Sequence, residues 1–148
     1  MKKLFLMLIV IFGIYASSSA QTADISYISL EHNVRYSGTN CLAIHICCSV
    51  DDLQGRYVNI AAYFFDEYGD PIKAPYGAPG HFRTTDGQLC AGSNTRVMYE
   101  STYWDDYVLY IPYAMFQRSG SYQCAVQISH SSYGVLAISS EEYFDVYR

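Results

Sequence analysis

Beyond Lys3 the chain has one lysine, Lys73, and basic side chains are scarce throughout: nine Lys and Arg against fourteen Asp and Glu among 148 residues. Nucleic-acid affinity comes mainly from Lys and Arg neutralising phosphates, so this balance excludes that partner class. It argues equally against adsorption to an anionic membrane surface. There is also no long apolar run. The longest, Leu4–Ala16, falls short of the roughly 20 residues a spanning helix needs, so no stable membrane span is expected once it is removed. After residue 20 no stretch of a dozen residues carries helical periodicity, which excludes a helical or α/β design. Internal repeats, low-complexity linkers, G-x-S-x-G, H-E-x-x-H and C-x-x-C are absent as well. None of the common catalytic or zinc signatures is therefore available, and no cofactor and no metal are expected.

What is present begins with an export leader. Lys2 and Lys3 precede the apolar run, and Ser17-Ser18-Ser19-Ala20 supplies the small residues of a cleavage site. Residues 1–20 are expected to be a signal peptide and 21–148 one domain, exported to the periplasm, the cell surface or the medium. Lys2 and Lys3 leave with the leader, so the mature charge is about −7, fourteen acids against seven bases.

Period-two alternation dominates that domain. Tyr122, Cys124, Val126 and Ile128 share one side of a segment opened by Ser119-Gly120. Leu42, Ile44, Ile46, Cys48 and Val50 do the same in 41–50, as do Val58, Ile60, Ala62 and Phe64 in 57–65. Further strands are expected at 25–31, 88–91, 107–111 (ended by Pro112), 135–138 and from Tyr143 to Val146, with a hairpin connection at 33–40 containing Ser37-Gly38, a loop at 73–83, an irregular segment at 92–106 and one helical turn at 114–118. Seven or eight short strands predict an all-β, two-sheet antiparallel β-sandwich. The second face of 57–65 (Tyr57, Asn59, Ala61, Tyr63, Phe65) is less polar than a solvated face should be. It is either covered by a loop or a contact surface.

Gly120-x-Tyr122-x-Cys124-x-Val126 resembles the sixth strand of immunoglobulin-like domains. That resemblance implies a tyrosine corner at Tyr122 and a bridge from Cys124 to the second strand, where Cys48 is the core-facing thiol and Cys47 the competing neighbour. Five cysteines are an odd number, so at least one is left over. A second set of segments, Leu30–Asn33, Ala61–Phe65, Gly69–Ile72, Arg83–Gln88 and Ile111–Tyr113, resembles in order an uncharacterised secreted bacterial β-sandwich module. That module occurs alone after a signal peptide or joined to peptidase or repeat regions, and it implies no catalytic residues.

Function is expected in the loops. Tyr76, Phe82, Tyr99, Tyr103, Trp104 and Tyr107 lie in or beside 73–107, where exposed rings beside acids and amides suit stacking on sugars or anchoring a protein. The expectation is a non-catalytic interaction module with a protein or glycan partner. Two alternatives are a small hydrolase using Asp105 or Asp106 with His81, and a structural subunit of an envelope assembly. His45, Cys47, Cys41 and Cys90 read as a half-exposed strand face with incidental thiols. The acids at 51–52 and 66–70 read as turn residues.

Overall fold

A computed structural model describes residues 20–148, so the expected signal peptide lies outside the described residues except for Ala20. Eight strands follow in order: β1 Thr22–Tyr36, β2 Thr39–Asp51, β3 Tyr57–Asp66, β4 Cys90–Arg96, β5 Ser101–Pro112, β6 Gly120–His130, β7 Gly134–Ile138 and β8 Glu142–Val146. Two short 3-10 turns, Gly80–Phe82 and Tyr113–Met115, complete the elements. Among the described residues no helix is long and apolar enough to cross a membrane.

The strands form two antiparallel sheets. One runs β1-β2-β5; the other runs β4-β3-β6-β7, with β8 also paired to β6. The second and fifth strands thus share one sheet while the third and sixth share the other, the division of an immunoglobulin-like sandwich. The inward rows are those that the alternation marks. Leu42, Ile44, Ile46, Cys48 and Val50 face Val58, Ile60, Ala62, Phe64, Cys124, Val126 and Ile128, all fully buried. Burial of both rows against each other drives the sheets together. β7 and β8 divide one edge of β6 between them: β7 pairs with Gln127–His130 and β8 with Gly120–Cys124. Ser139 bridges the gap, its N–H donating to the Val126 carbonyl and its Oγ accepting the Val126 N–H.

The tyrosine corner is present. Tyr122 Oη donates to the Arg118 carbonyl at 2.6 Å. A buried phenol requires such a partner, and here it fixes the chain where it enters β6.

The connections differ from the sequence expectation. The hairpin turn expected within 33–40 falls at Ser37-Gly38, both with positive φ (50° and 78°), but it does not take up the whole segment, since β1 continues to Tyr36 and β2 starts at Thr39. Two positive φ values make the tight hairpin turn whose twist suits the flanking strands. Nor is 92–106 irregular, since β4 runs to Arg96 and β5 starts at Ser101. The alternation in β5 is masked by a bulge, with Asp105 and Asp106 together opposing Cys47 between the pairs Ile46–Tyr107 and Cys48–Trp104. The extra residue reverses the pattern midway, so the strand does not read as one.

The Cys48–Cys124 bridge is not formed. All five cysteines are free and buried. Cys48 lies on β2 and Cys124 on β6, strands of opposite sheets, and both side chains are fully buried in the core rows of their own strands.

Candidate functional site

The six aromatics expected to bind do not converge. Tyr76 is a fully exposed loop residue and Tyr99 an exposed turn residue. Phe82 is half-buried against the core, its ring 4.0 Å from that of His81. Tyr103 and Trp104 are successive strand residues and face opposite ways. Tyr103 lies on the outer face, its hydroxyl 2.9 Å from Cys47 Sγ; Trp104 packs inward, edge-on to Tyr107 at 5.9 Å. The Tyr107 hydroxyl is in turn bonded to Thr95. Strand geometry scatters what a loop would have gathered.

A different surface does converge: the outer face of the five-stranded sheet. Register sets Asn94, Asn59 and Ser129 in one row, Gly92, Ala61 and Gln127 in the next, then Cys90, Tyr63 and Ala125, then Phe65 and Gln123. The middle rows carry small side chains, of which Ala61 and Cys90 are buried by their neighbours. A Cβ on Gly92 would meet Ala61 Cβ at 3.4 Å and Asn59 Oδ1 at 3.6 Å, ordinary contact distances. A hollow of about 360 Å³ lies at the Tyr57 end, with Asn59, Asn94 and Ser129 in its wall. Another of about 450 Å³ lies around Tyr63, Phe65, Gln88 and Gln127. The Tyr57 ring is 62% exposed, so no loop covers that end. Burial pushes the Tyr63 phenol up, with the Cys90 thiol adding to it, so it remains a hydroxyl donor at neutral pH. Amides and hydroxyls line most of the face; Arg96 flanks Tyr57, and Asp86 and Glu141 stand at the far hollow. The apolar outward row of β3 was the sequence trace of this surface. Its partners on β4 and β6 are adjacent only through register.

The outer face of the three-stranded sheet carries the main charged group. His45 Nδ1 lies 2.8 Å from Asp106 Oδ1, and Nε2 lies 3.0 Å from Glu31 Oε2. A carboxylate faces each nitrogen, so the protonated ring can donate on both sides. Burial pulls its pKa down, but the hydrogen bonds and charges of Asp106 and Glu31 outweigh this, and the net shift is upward. Both ring nitrogens are engaged by carboxylates, and Cys47, two residues on, is bonded to Tyr103 rather than to His45.

A raised histidine pKa stabilises the fold fully below the unfolded value of about 6.5 and loses that contribution as pH rises through the higher folded value. The carboxylates are exposed, so screening holds the effect to about 1 kcal/mol or less. The urea midpoint is expected to fall as pH is raised from 6 to 9, and His45→Gln should flatten that slope. An equal slope in the variant would remove His45 as its source.

The remaining acids do not converge. Asp66 Oδ1 accepts the N–H groups of Tyr68 and Asp70, both at 2.9 Å, as a turn cap, and Asp51 Oδ1 accepts Ser101 Oγ at 2.7 Å. Among the described residues no three His, Cys, Asp or Glu side chains are grouped to hold a metal ion.

No family model and no curated protein matches the chain. Among solved structures, β-glucosidase 3B from Thermotoga neapolitana, in complex with α-D-glucose, is similar at 18% identity and a TM-score of 0.37. The match covers 86% of this chain and 17% of that one, so the chain spans under a fifth of the glucosidase's length.

Proposed function

We propose that this is an exported, non-catalytic carbohydrate-binding module that lays a glycan chain across the outer face of its five-stranded sheet. The observation that carries this reading is the order of groups along β3: the exposed Tyr57 ring, the Asn59 amide, the small buried Ala61, then Tyr63 and Phe65. From Tyr57 to Tyr63 is about 20 Å at the strand rise, room for several sugar units. Rings offer faces for the apolar C–H sides of sugars, and the flanking amides offer a donor and an acceptor each for hydroxyls. The mostly uncharged lining favours a neutral chain over a polyanion.

The non-catalytic part rests on the disposition of the acids. Asp106 is held by His45 rather than by His81, and Asp66 caps its own turn. Export rests on the leader read in the sequence.

Affinity electrophoresis through neutral polysaccharides, followed by calorimetry on oligosaccharides, tests the reading. Tyr57→Ala and Tyr63→Ala should each weaken binding about tenfold, from about 1–1.5 kcal/mol per lost ring contact. Trp104→Ala, on the other sheet, should leave affinity within about twofold if it stays folded. Retention of full affinity in both tyrosine variants, or release of new reducing ends on incubation, would overturn the proposal.

A further inference from the structure

The largest hollow among those described, about 530 Å³, opens where β1 and β8 part, and it belongs neither to the loop aromatics nor to the centre of the sheet face. Its walls are built. β1 bulges between Glu31 and Val34, with Asn33 at φ 58°. Tyr113, on the short turn after β5, meets that bulge: the Asn33 N–H donates to Tyr113 Oη at 3.1 Å, and His32 Nδ1 lies 2.9 Å from the same oxygen. His32 Nε2 has no hydrogen-bond partner among the described residues. Stacking on Tyr113 (6.3 Å, 10°) and contact with Phe144 hold the imidazole in place.

The opposite wall is β8 and the residue after it. Tyr143 and Tyr147 are 69% and 86% exposed, with Asp145 between them. Ser121 Oγ donates to Asp145 Oδ1 at 2.6 Å, and Tyr147 Oη is 3.5 Å from Oδ2. A carboxylate has about four acceptor positions, so two remain free. Among the lining residues Asp145 is the one acidic group, set among amides, phenols and an imidazole.

We infer that this cleft binds a sugar bearing an unsubstituted amine, its ammonium on Asp145. The combination selects that class. Neutral amides and the unpartnered His32 Nε2 match hydroxyls, the tyrosine rings match C–H faces, and the pinned carboxylate matches one cation. A lysine side chain would use the carboxylate but leave the amides idle. A neutral sugar would use the amides and leave the carboxylate without a cation. The position fits as well: Tyr143 pairs with Gln123, which pairs with Phe65, so the cleft adjoins the sheet face along one row. The inference rests on the glycan reading of that face and adds the chemical identity of one unit of the chain.

Calorimetry on the whole protein at pH 6 and low salt tests it with three oligosaccharides of one linkage: a glucosamine tetramer, its fully N-acetylated form and the neutral glucose tetramer. The amine form should bind at least about tenfold tighter than the other two, the increment of a charge-assisted hydrogen bond. Asp145→Asn keeps the shape and removes the charge, and it should bring all three to one affinity at an unchanged melting temperature. Tyr143→Ala should weaken the amine form without dependence on that charge. Equal affinities in the native protein, or an amine preference that survives Asp145→Asn, would overturn the inference. Failure is separable from that of the sheet face, because Tyr57→Ala should weaken all three sugars alike. Its loss of effect would sink the face, while loss of the amine preference alone would sink only the cleft.

Discussion

Phe116→Ala should cost about 3–5 kcal/mol of stability, the usual range for emptying a large buried aromatic site. Phe116 sits in the connection after β5, just past the turn Tyr113–Met115, yet it is fully buried. Its ring meets Phe64 edge-on at 5.3 Å and Phe144 at 5.6 Å, and tilts against Tyr122 at 5.0 Å. These four rings join β3, β6 and β8 beneath the tyrosine corner, so removal opens a cavity that rigid strands cannot collapse. Domains of this size hold about 5–15 kcal/mol in all, and the variant should therefore lie near the limit of folding, its melting point lowered by roughly 10–20 °C. Urea unfolding of Phe116→Ala beside Phe116→Leu measures it. Leucine refills most of the space and should cost clearly less. A loss under about 1 kcal/mol for alanine would show that the ring is not an anchor.

What could be read from the chain follows from where period two survives. β2, β3 and β6 alternate without interruption, and their inward rows were legible residue by residue. β5 was half legible, because the Asp105-Asp106 bulge turns Tyr103 outward and Trp104 inward and breaks the count. Tyr122-x-Cys124 correctly indicated the corner, which depends on local chain geometry. It misled about the disulfide, which depends on register between sheets, and no single strand encodes that. The same division applies to function. The outward row Tyr57, Asn59, Ala61, Tyr63 and Phe65 stood out as too apolar for solvent. Its enlargement into a face by Asn94, Gly92, Gln127 and Ser129 needed strand pairing over long separations. The cleft lay further from view, since His32, Tyr113 and Asp145 come from three distant segments. Only the repeat Tyr143-x-Asp145-x-Tyr147 marked its rim.

Thiol labelling should find none of the five cysteines bridged and should separate Cys48 and Cys124 kinetically from Cys41 and Cys47. Burial pushes the Cys124 thiol up to about 12, with the charge of Glu142 adding to it, and pushes Cys48 up to about 11, with Cys47 contributing. Thiolate is the reactive form, so at pH 8 intrinsic reactivity falls by about two to three orders of magnitude relative to a free cysteine of pKa about 8.5. Both residues are also wholly buried, so reagent reaches them only when the sandwich opens. Cys41 and Cys47 differ: they lie on the outer face of β2, covered by neighbouring side chains rather than by a second sheet, and local opening should expose them first. In unreduced protein unfolded in guanidinium, an alkylating reagent should modify all five at once. Protection of Cys48 and Cys124 together would instead establish the bridge and refute the free thiols of β2 and β6. In native protein their labelling should track global unfolding, which connects it to the first variant. A loss of 3–5 kcal/mol in Phe116→Ala should speed labelling of Cys48 and Cys124 by about a hundred- to a few-thousand-fold. Cys41 and Cys47 should change far less, because the opening that exposes them does not require the aromatic cluster to come apart.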